Sequence, residues 1–288
     1  MHRCLVAAVM VLAVTETVSA QCRVPSGSNE GKLLAFYTAP IAFSMATTPE
    51  VTMAGSIRFG AEGEYVPRPD PELEQTGRCF TQKSEETSLS PVFGRPRITI
   101  GIPLGFTVEL GYLPPVTIAK ATPHLFSFAI AHATHHSFGP ASGTTIIFRG
   151  HGTYGSVKGA ITCPSSALQQ TLPDSPCYGN EPSNDTFHPD MFGGEIAAGV
   201  TAPSRAFSLY LGVGANRIDP HFQVGFTNIK DPPEVDMTRV QLEGPLTRAT
   251  VFGGVTAIVA RVFDVGAQIY SVPSDATMVK LNGGFRFR

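Results

Sequence analysis

The stretch Thr52–Val66, TMAGSIRFGAEGEYV, decides how the rest of the chain is read. Met53, Gly55, Ile57, Phe59, Ala61, Gly63 and Tyr65 fall on one face of it. Thr52, Ala54, Ser56, Arg58, Gly60, Glu62 and Glu64 fall on the other. A period of two is that of a β-strand, whose successive side chains leave opposite faces, and it does not fit a helix. The run is also long. About nine to eleven residues of tilted strand cross a bilayer, whereas an ordinary strand has roughly five or six.

The pattern repeats outward from there. Ile98, Ile100 and Ile102 oppose Arg97, Thr99 and Gly101, and Phe106, Val108, Leu110 and Tyr112 oppose Thr107, Glu109 and Gly111. Phe207, Leu209, Leu211, Val213 and Ala215 oppose Ser208, Tyr210, Gly212 and Gly214. About twelve strands are expected, within a range of ten to fourteen. They fall at 51–66, 95–103, 105–113, 116–133, 143–161, 190–201, 204–217, 220–229, 235–244, 248–261, 264–272 and 277–287. Connections at 67–94 and 162–189 are long; those at 103–105, 202–204, 230–234 and 262–263 are short. An even count leaves both ends of the strand array on one side of a membrane.

Composition narrows the alternatives. With 42% hydrophobic and 15% charged residues, the 288-residue chain is not a wholly disordered one. A formal charge of −2 without a basic stripe gives no support to nucleic-acid binding. No run of 18 apolar residues is present, which excludes a polytopic helical membrane protein. Residues 1–20 read as a secretory signal: His2 and Arg3, the apolar run Cys4–Val14, then Val18 and Ala20 three residues and one residue before the cleavage point. Residues 21–50 follow as a periplasmic or luminal segment whose apolar part, Leu33–Met45, is interrupted by Pro40. Residues 51–288 make the barrel domain. In an exported chain the remaining four cysteines are expected to oxidise. Cys163 and Cys177 bracket CPSSALQQTLPDSPC and are expected to staple one loop; a Cys22–Cys79 bond is the remainder, left open.

Alternation suits both a transmembrane barrel and a soluble sandwich. Strand length, the Gly-, Ser- and charge-rich polar faces, and the need of so many strands to leave no exposed edge favour the membrane. The chain resembles a bacterial outer-membrane β-barrel protein of the porin-like class: an exported chain with arms joined by alternating short and long connections and a last strand MVKLNGGFRFR, 278–288. It departs from that class by ending on Arg288, with the aromatic Phe287 penultimate. The resemblance implies outer-membrane lipid and the barrel-assembly machinery as partners, outer-membrane localisation, and a monomer. It implies passive passage of small solutes or an envelope-structural role. The alternatives are an outer-membrane lipid-modifying hydrolase and a secreted soluble β-rich binding protein.

Three sets of residues are candidates for chemistry. Arg58, Glu62, Glu64, Arg97, Glu109, Glu195, Arg205, Arg217, Lys280 and Arg286 fall on or near polar faces, where they would line a lumen; both signs are present, so no strong ion preference is expected. His132, His135 and His136 lie close enough for a metal if the backbone turns, although no carboxylate is near and no metal or other cofactor is called for. His135 and Ser137 share a face two residues apart, as general base and nucleophile do in some lipid-deacylating barrels. Here Phe138 stands where that family has Asn, and nothing nearby would orient the imidazole.

Overall fold

The computed structural model describes residues 21–74, 79, 92–118, 120–137, 143–202, 206–260 and 262–287. Residues 1–20, where a signal segment is expected, lie outside them. Ten strands form a closed antiparallel meander: β1 (Ile57–Tyr65), β2 (Val92–Ile102), β3 (Phe106–Leu113), β4 (Ala121–Ser137), β5 (Gly143–Gly159), β6 (Met191–Thr201), β7 (Phe207–Ile218), β8 (Leu246–Ala260), β9 (Phe263–Val272) and β10 (Ala276–Phe287). Each pairs with the next, and β10 returns to β1 in the register Val279↔Tyr65 through Phe287↔Ile57. No strand of the ring is left with an unpaired edge, as a bilayer demands.

Parity along these strands sorts the chain into two surfaces. Phe59, Tyr65, Ile130, Phe148, Leu209, Leu211, Ile269 and Leu281 point outward and are about half exposed or more. Arg58, Glu62, Glu64, Arg97, Glu109, Arg149, Glu195, Asp264 and Lys280 point inward and are buried. In water such an exterior would be unfavourable by roughly 25 cal/mol per Å² of apolar surface; in lipid the same area is matched. The fold is a transmembrane β-barrel.

Ten of the twelve expected segments are the ten barrel strands, and the other two are not in the ring. Segments 220–229 and 235–244 contribute the short strands His221–Gln223 and Arg239–Leu242 to a cap. The cap extends the sheet from the far end of β5 through Asp185–His188, His221–Gln223, Arg239–Leu242 and finally Gln21–Val24, which joins parallel to Arg239–Leu242. Phe222, Val224, Phe226, Val240 and Leu242 alternate as a membrane strand would, yet they are buried with Phe187, Leu125 and Leu113 in a protein core. Asp185, fully buried, ties this region together by accepting from the amides of Ile161, Thr162 and Gly225 and from the hydroxyl of Ser183.

The expected strand 51–66 also begins later, at Ile57. Gly55, at φ +82°, allows a tight turn in which the Ser56 amide donates to the Met53 carbonyl. The fourth strand runs on to Ser137 rather than ending at 133, with Pro123 accommodated near its start opposite Val157.

Ahead of β1 the chain takes an unusual course. Helix α1 (Asn29–Thr38) is capped by Ser28, whose hydroxyl accepts from the Gly31 amide at 3.1 Å. It gives way at Pro40 to one 3₁₀ turn, Ala39–Ile41. From there to Glu50 the chain has no regular secondary structure, turning at Ala42–Ser44 where the Ser44 amide donates to the Ala42 carbonyl at 2.9 Å, and it runs down the barrel. Gln21–Val24 therefore sits with the cap at the rim of the long connections, while Glu50 meets Arg286 near the end of β10. Both ends of the strand array share one rim, and the segment preceding it crosses to the other.

Candidate functional site

The lumen is occupied by residues 41–50. Ala42, Phe43 and Ser44 are wholly buried, and Ile41, Met45, Ala46 and Thr48 nearly so. A segment without strand pairing inside a closed wall has few backbone partners, so most of its carbonyls must be met by side chains. The wall supplies them. Arg95 donates to the carbonyls of Ile41 and Ala42, each at 3.3 Å, and Lys280 to that of Ala42 at 3.2 Å. Arg149 and His151 converge on the Phe43 carbonyl at 2.6 and 2.7 Å. Arg97 takes the Ser44 carbonyl at 2.9 Å and Gln268 that of Met45 at 3.0 Å. Lower down, the Thr48 amide donates to Thr256 at 3.0 Å.

Phe43 is the centre of this arrangement. The guanidinium carbons of Arg97, Arg95 and Arg149 stand 4.1, 4.6 and 5.2 Å from its ring centre. Three cations around one aromatic ring are each attracted to its faces but repel each other, and carboxylates between them offset that repulsion. Glu62 bridges Arg95 and Arg97, Glu109 bridges Arg97 and Arg149, and Glu195 takes Arg149 at 3.0 Å. The result is an alternating ladder, Arg95–Glu62–Arg97–Glu109–Arg149–Glu195, across β1, β2, β3, β5 and β6. Lys280 pairs with Glu64 at 2.8 Å. Asp264 accepts from both Arg58 and Arg286, and Arg286 also holds Glu50 of the threaded segment. These six cations face six carboxylates, so the filled lumen is electroneutral.

Glycines make room for the segment. A Cβ at Gly111 would come within 3.1 Å of the Phe43 ring, and one at Gly199 within 2.7 Å of Thr48 and 2.8 Å of Pro49. Below the segment, toward the rim where β10 ends, a cavity of about 390 Å³ remains, lined in part by Glu50, Thr52, Arg58, Thr99, Glu109 and Arg286.

Eight of the ten expected lumen charges, Arg58, Glu62, Glu64, Arg97, Glu109, Glu195, Lys280 and Arg286, are engaged in these pairs; Arg217 is exposed, sharing the parity of outward Leu211 and Val213, and Arg205 lies outside the described residues. Sequence reading missed Arg95, Arg149, His151 and Asp264. Strand parity could have found them, since each lies an even number of residues from an inward neighbour on its own strand. Phe43 carries no comparable signal.

The histidine candidates are separated by the same parity. His132 and His136 leave the outer face, His132 packed on Phe106 with ring centres 4.6 Å apart. His135 lies on the opposite face, 3.2 Å from the Thr145 hydroxyl. The three do not converge. Ser137 closes β4 opposite Gly143; its side chain lies outside the described residues, and His135 has no described carboxylate beside it. Both disulfides are present, Cys163–Cys177 within one connection and Cys22–Cys79 between the cap strand Gln21–Val24 and the connection after β1.

No protein-family model and no curated protein matches this chain. Solved structures similar to it include Ail, the attachment invasion locus protein of Yersinia pestis, at 10% identity and a TM-score of 0.30, covering 82% of this chain and 100% of that one. The COG4313 outer membrane channel from Pseudomonas putida F1 is 7% identical with a TM-score of 0.37, covering 85% and 100%. Omp33 of Acinetobacter baumannii is 10% identical with a TM-score of 0.29, covering 81% and 98%. Likeness this distant carries no functional argument. From its own register, closure and outward apolarity, the chain is a closed antiparallel transmembrane β-barrel.

Proposed function

We propose that this protein is an outer-membrane barrel held shut by its own N-terminal segment. In that state it serves an envelope-structural role, and it passes small solutes passively only when the segment is displaced. The observation that carries this reading is the Ile41–Glu50 thread, whose carbonyls are met by Arg95, Arg97, Arg149, His151, Gln268 and Lys280 of the wall. A ladder of neutral sum predicts little preference between small anions and cations once a path opens.

The same reading places the long connections and the cap outside the cell, and the connections after β2, β4, β6 and β8 together with the end of β10 in the periplasm. Export by residues 1–20 and insertion by the barrel-assembly machinery precede this state. A ring without free edges needs no second copy, so a monomer is expected.

Two measurements test it. Outer membranes washed with alkali should retain the chain, and its gel mobility should change on boiling; release into the soluble periplasmic fraction would sink the membrane reading. In planar bilayers the intact chain should be silent or open only briefly, and loosening the thread should raise its conductance. A steady large conductance from the intact chain would overturn closure.

A further inference from the structure

Two short sequences mirror each other at the base of the cap. His188-Pro189-Asp190 leads from the strand Asp185–His188 into β6, and Asp219-Pro220-His221 leads from β7 into the strand His221–Gln223. The register sets His188 directly opposite His221. The Asp219 amide donates to the Asp190 carbonyl at 2.9 Å, so the two arms remain paired past their prolines. Residues two apart on extended chain share a face, which puts all four side chains on one side. The imidazoles are stacked, with centres 4.4 Å apart and planes 11° from parallel. Nδ1 of His221 is 3.9 Å from Oδ2 of Asp190.

We propose that this mirrored His-Pro-Asp/Asp-Pro-His square binds a divalent transition metal, Zn²⁺ before others, through His188, His221, Asp190 and Asp219. Two imidazoles and two carboxylates form a donor set that zinc accepts, at about 2.0–2.2 Å per bond. Tetrahedral ligands at that bond length stand roughly 3.4 Å apart, so the His221–Asp190 separation must contract by about half an ångström. Among the described residues no three such side chains are already drawn to a common point. The site therefore closes on the ion by side-chain rotation over a backbone that the two prolines and the ladder hold in place. Arg239, on the strand beside His221, acts on that imidazole with an unfavourable charge and makes the site weaker than a structural zinc centre. A bound ion would clamp the entry of β6 and the exit of β7 to the cap.

The test uses the untagged chain, folded in detergent, titrated with Co²⁺, whose visible absorption reports tetrahedral coordination, followed by displacement with Zn²⁺. One equivalent is expected. His188→Ala and His221→Ala should each lower the affinity at least about tenfold, the loss that even an outer partner of a metal ligand causes. Asp190→Asn should do the same while conserving shape, and boiling-dependent gel mobility shows that each variant is folded. A His132→Ala/His136→Ala double variant should bind as the parent does. Absence of stoichiometric binding by the folded parent would overturn the proposal. So would binding that survives His188→Ala and His221→Ala, or that disappears with His132 and His136.

Discussion

The guanidinium carbon of Arg97 lies 4.1 Å from the ring centre of Phe43, and the same guanidinium donates to the carbonyl of Ser44, the next residue, at 2.9 Å. One side chain of the wall thus grips the thread by both its ring and its backbone. Phe43→Ala removes the ring from three arginines at once, and the void costs about 3–5 kcal/mol if the site does not collapse. Conductance in planar bilayers should rise severalfold over the intact chain. A variant as stable and as silent as the parent would show that Phe43 does not retain the thread.

Gly199 gives a steric version of the same experiment. A side chain there meets Thr48 and Pro49, so Gly199→Val should lower unfolding stability by about 1–3 kcal/mol and raise conductance. Gly63, on the outer face of β1, has nothing within 4 Å of a built Cβ. Gly63→Val should leave both readouts unchanged, which separates an effect on the thread from one on strand formation.

Asp264 is shared by Arg58 and Arg286. Asp264→Ala leaves both cations without that partner, and breaking buried pairs of this kind costs about 3–5 kcal/mol. Urea unfolding of the vesicle-inserted barrel should register the loss. Arg286 retains Glu50, so most of the cost falls on Arg58, and an added Arg58→Met change should recover part of it.

In the turn between β9 and β10, burial pushes the Asp275 carboxyl above its ordinary pKa, while Arg248 at 2.9 Å pulls it back. An acid whose folded pKa is raised favours the folded state while it is protonated, and that contribution is lost as pH rises through the folded value. Arg248→Met removes the opposing charge and raises the pKa further. Its destabilisation should therefore be larger near about pH 8 than near about pH 3.5, measured by thermal unfolding in detergent. Adding Asp275→Asn should abolish that difference; a gap that persists in the double variant assigns it elsewhere.

Period-two alternation is local, so β7 is legible from Phe207, Leu209, Leu211 and Val213 alone. The same alternation cannot say what the apolar side meets. Phe222, Val224, Phe226, Val240 and Leu242 read as lipid-facing and face protein instead, which is why two expected ring strands belong to the cap. The thread was not legible. Its partners are far away in the chain: Arg97 by 53 residues, Arg149 by 106 and Lys280 by 238. Residues 21–50 therefore carry the apolar stretch and the Pro40 break without showing what surrounds them. Eight of the inward charges stand on faces that parity marks as polar, whereas Arg95, Arg149 and Asp264 went unnoticed and Arg217 faces out; their pairing depends on which strands become neighbours.

Threading also gives the molecule two addresses. Gln21–Val24 is stitched beside Arg239–Leu242 at the rim of the long connections, while Phe287 stands beside Ile57 at the opposite rim. A short epitope grafted just before Gln21 and another just after Phe287 would thus be displayed on opposite faces of the same bilayer. On the proposed orientation, antibodies against the first would label intact cells, and those against the second would need the membrane to be breached.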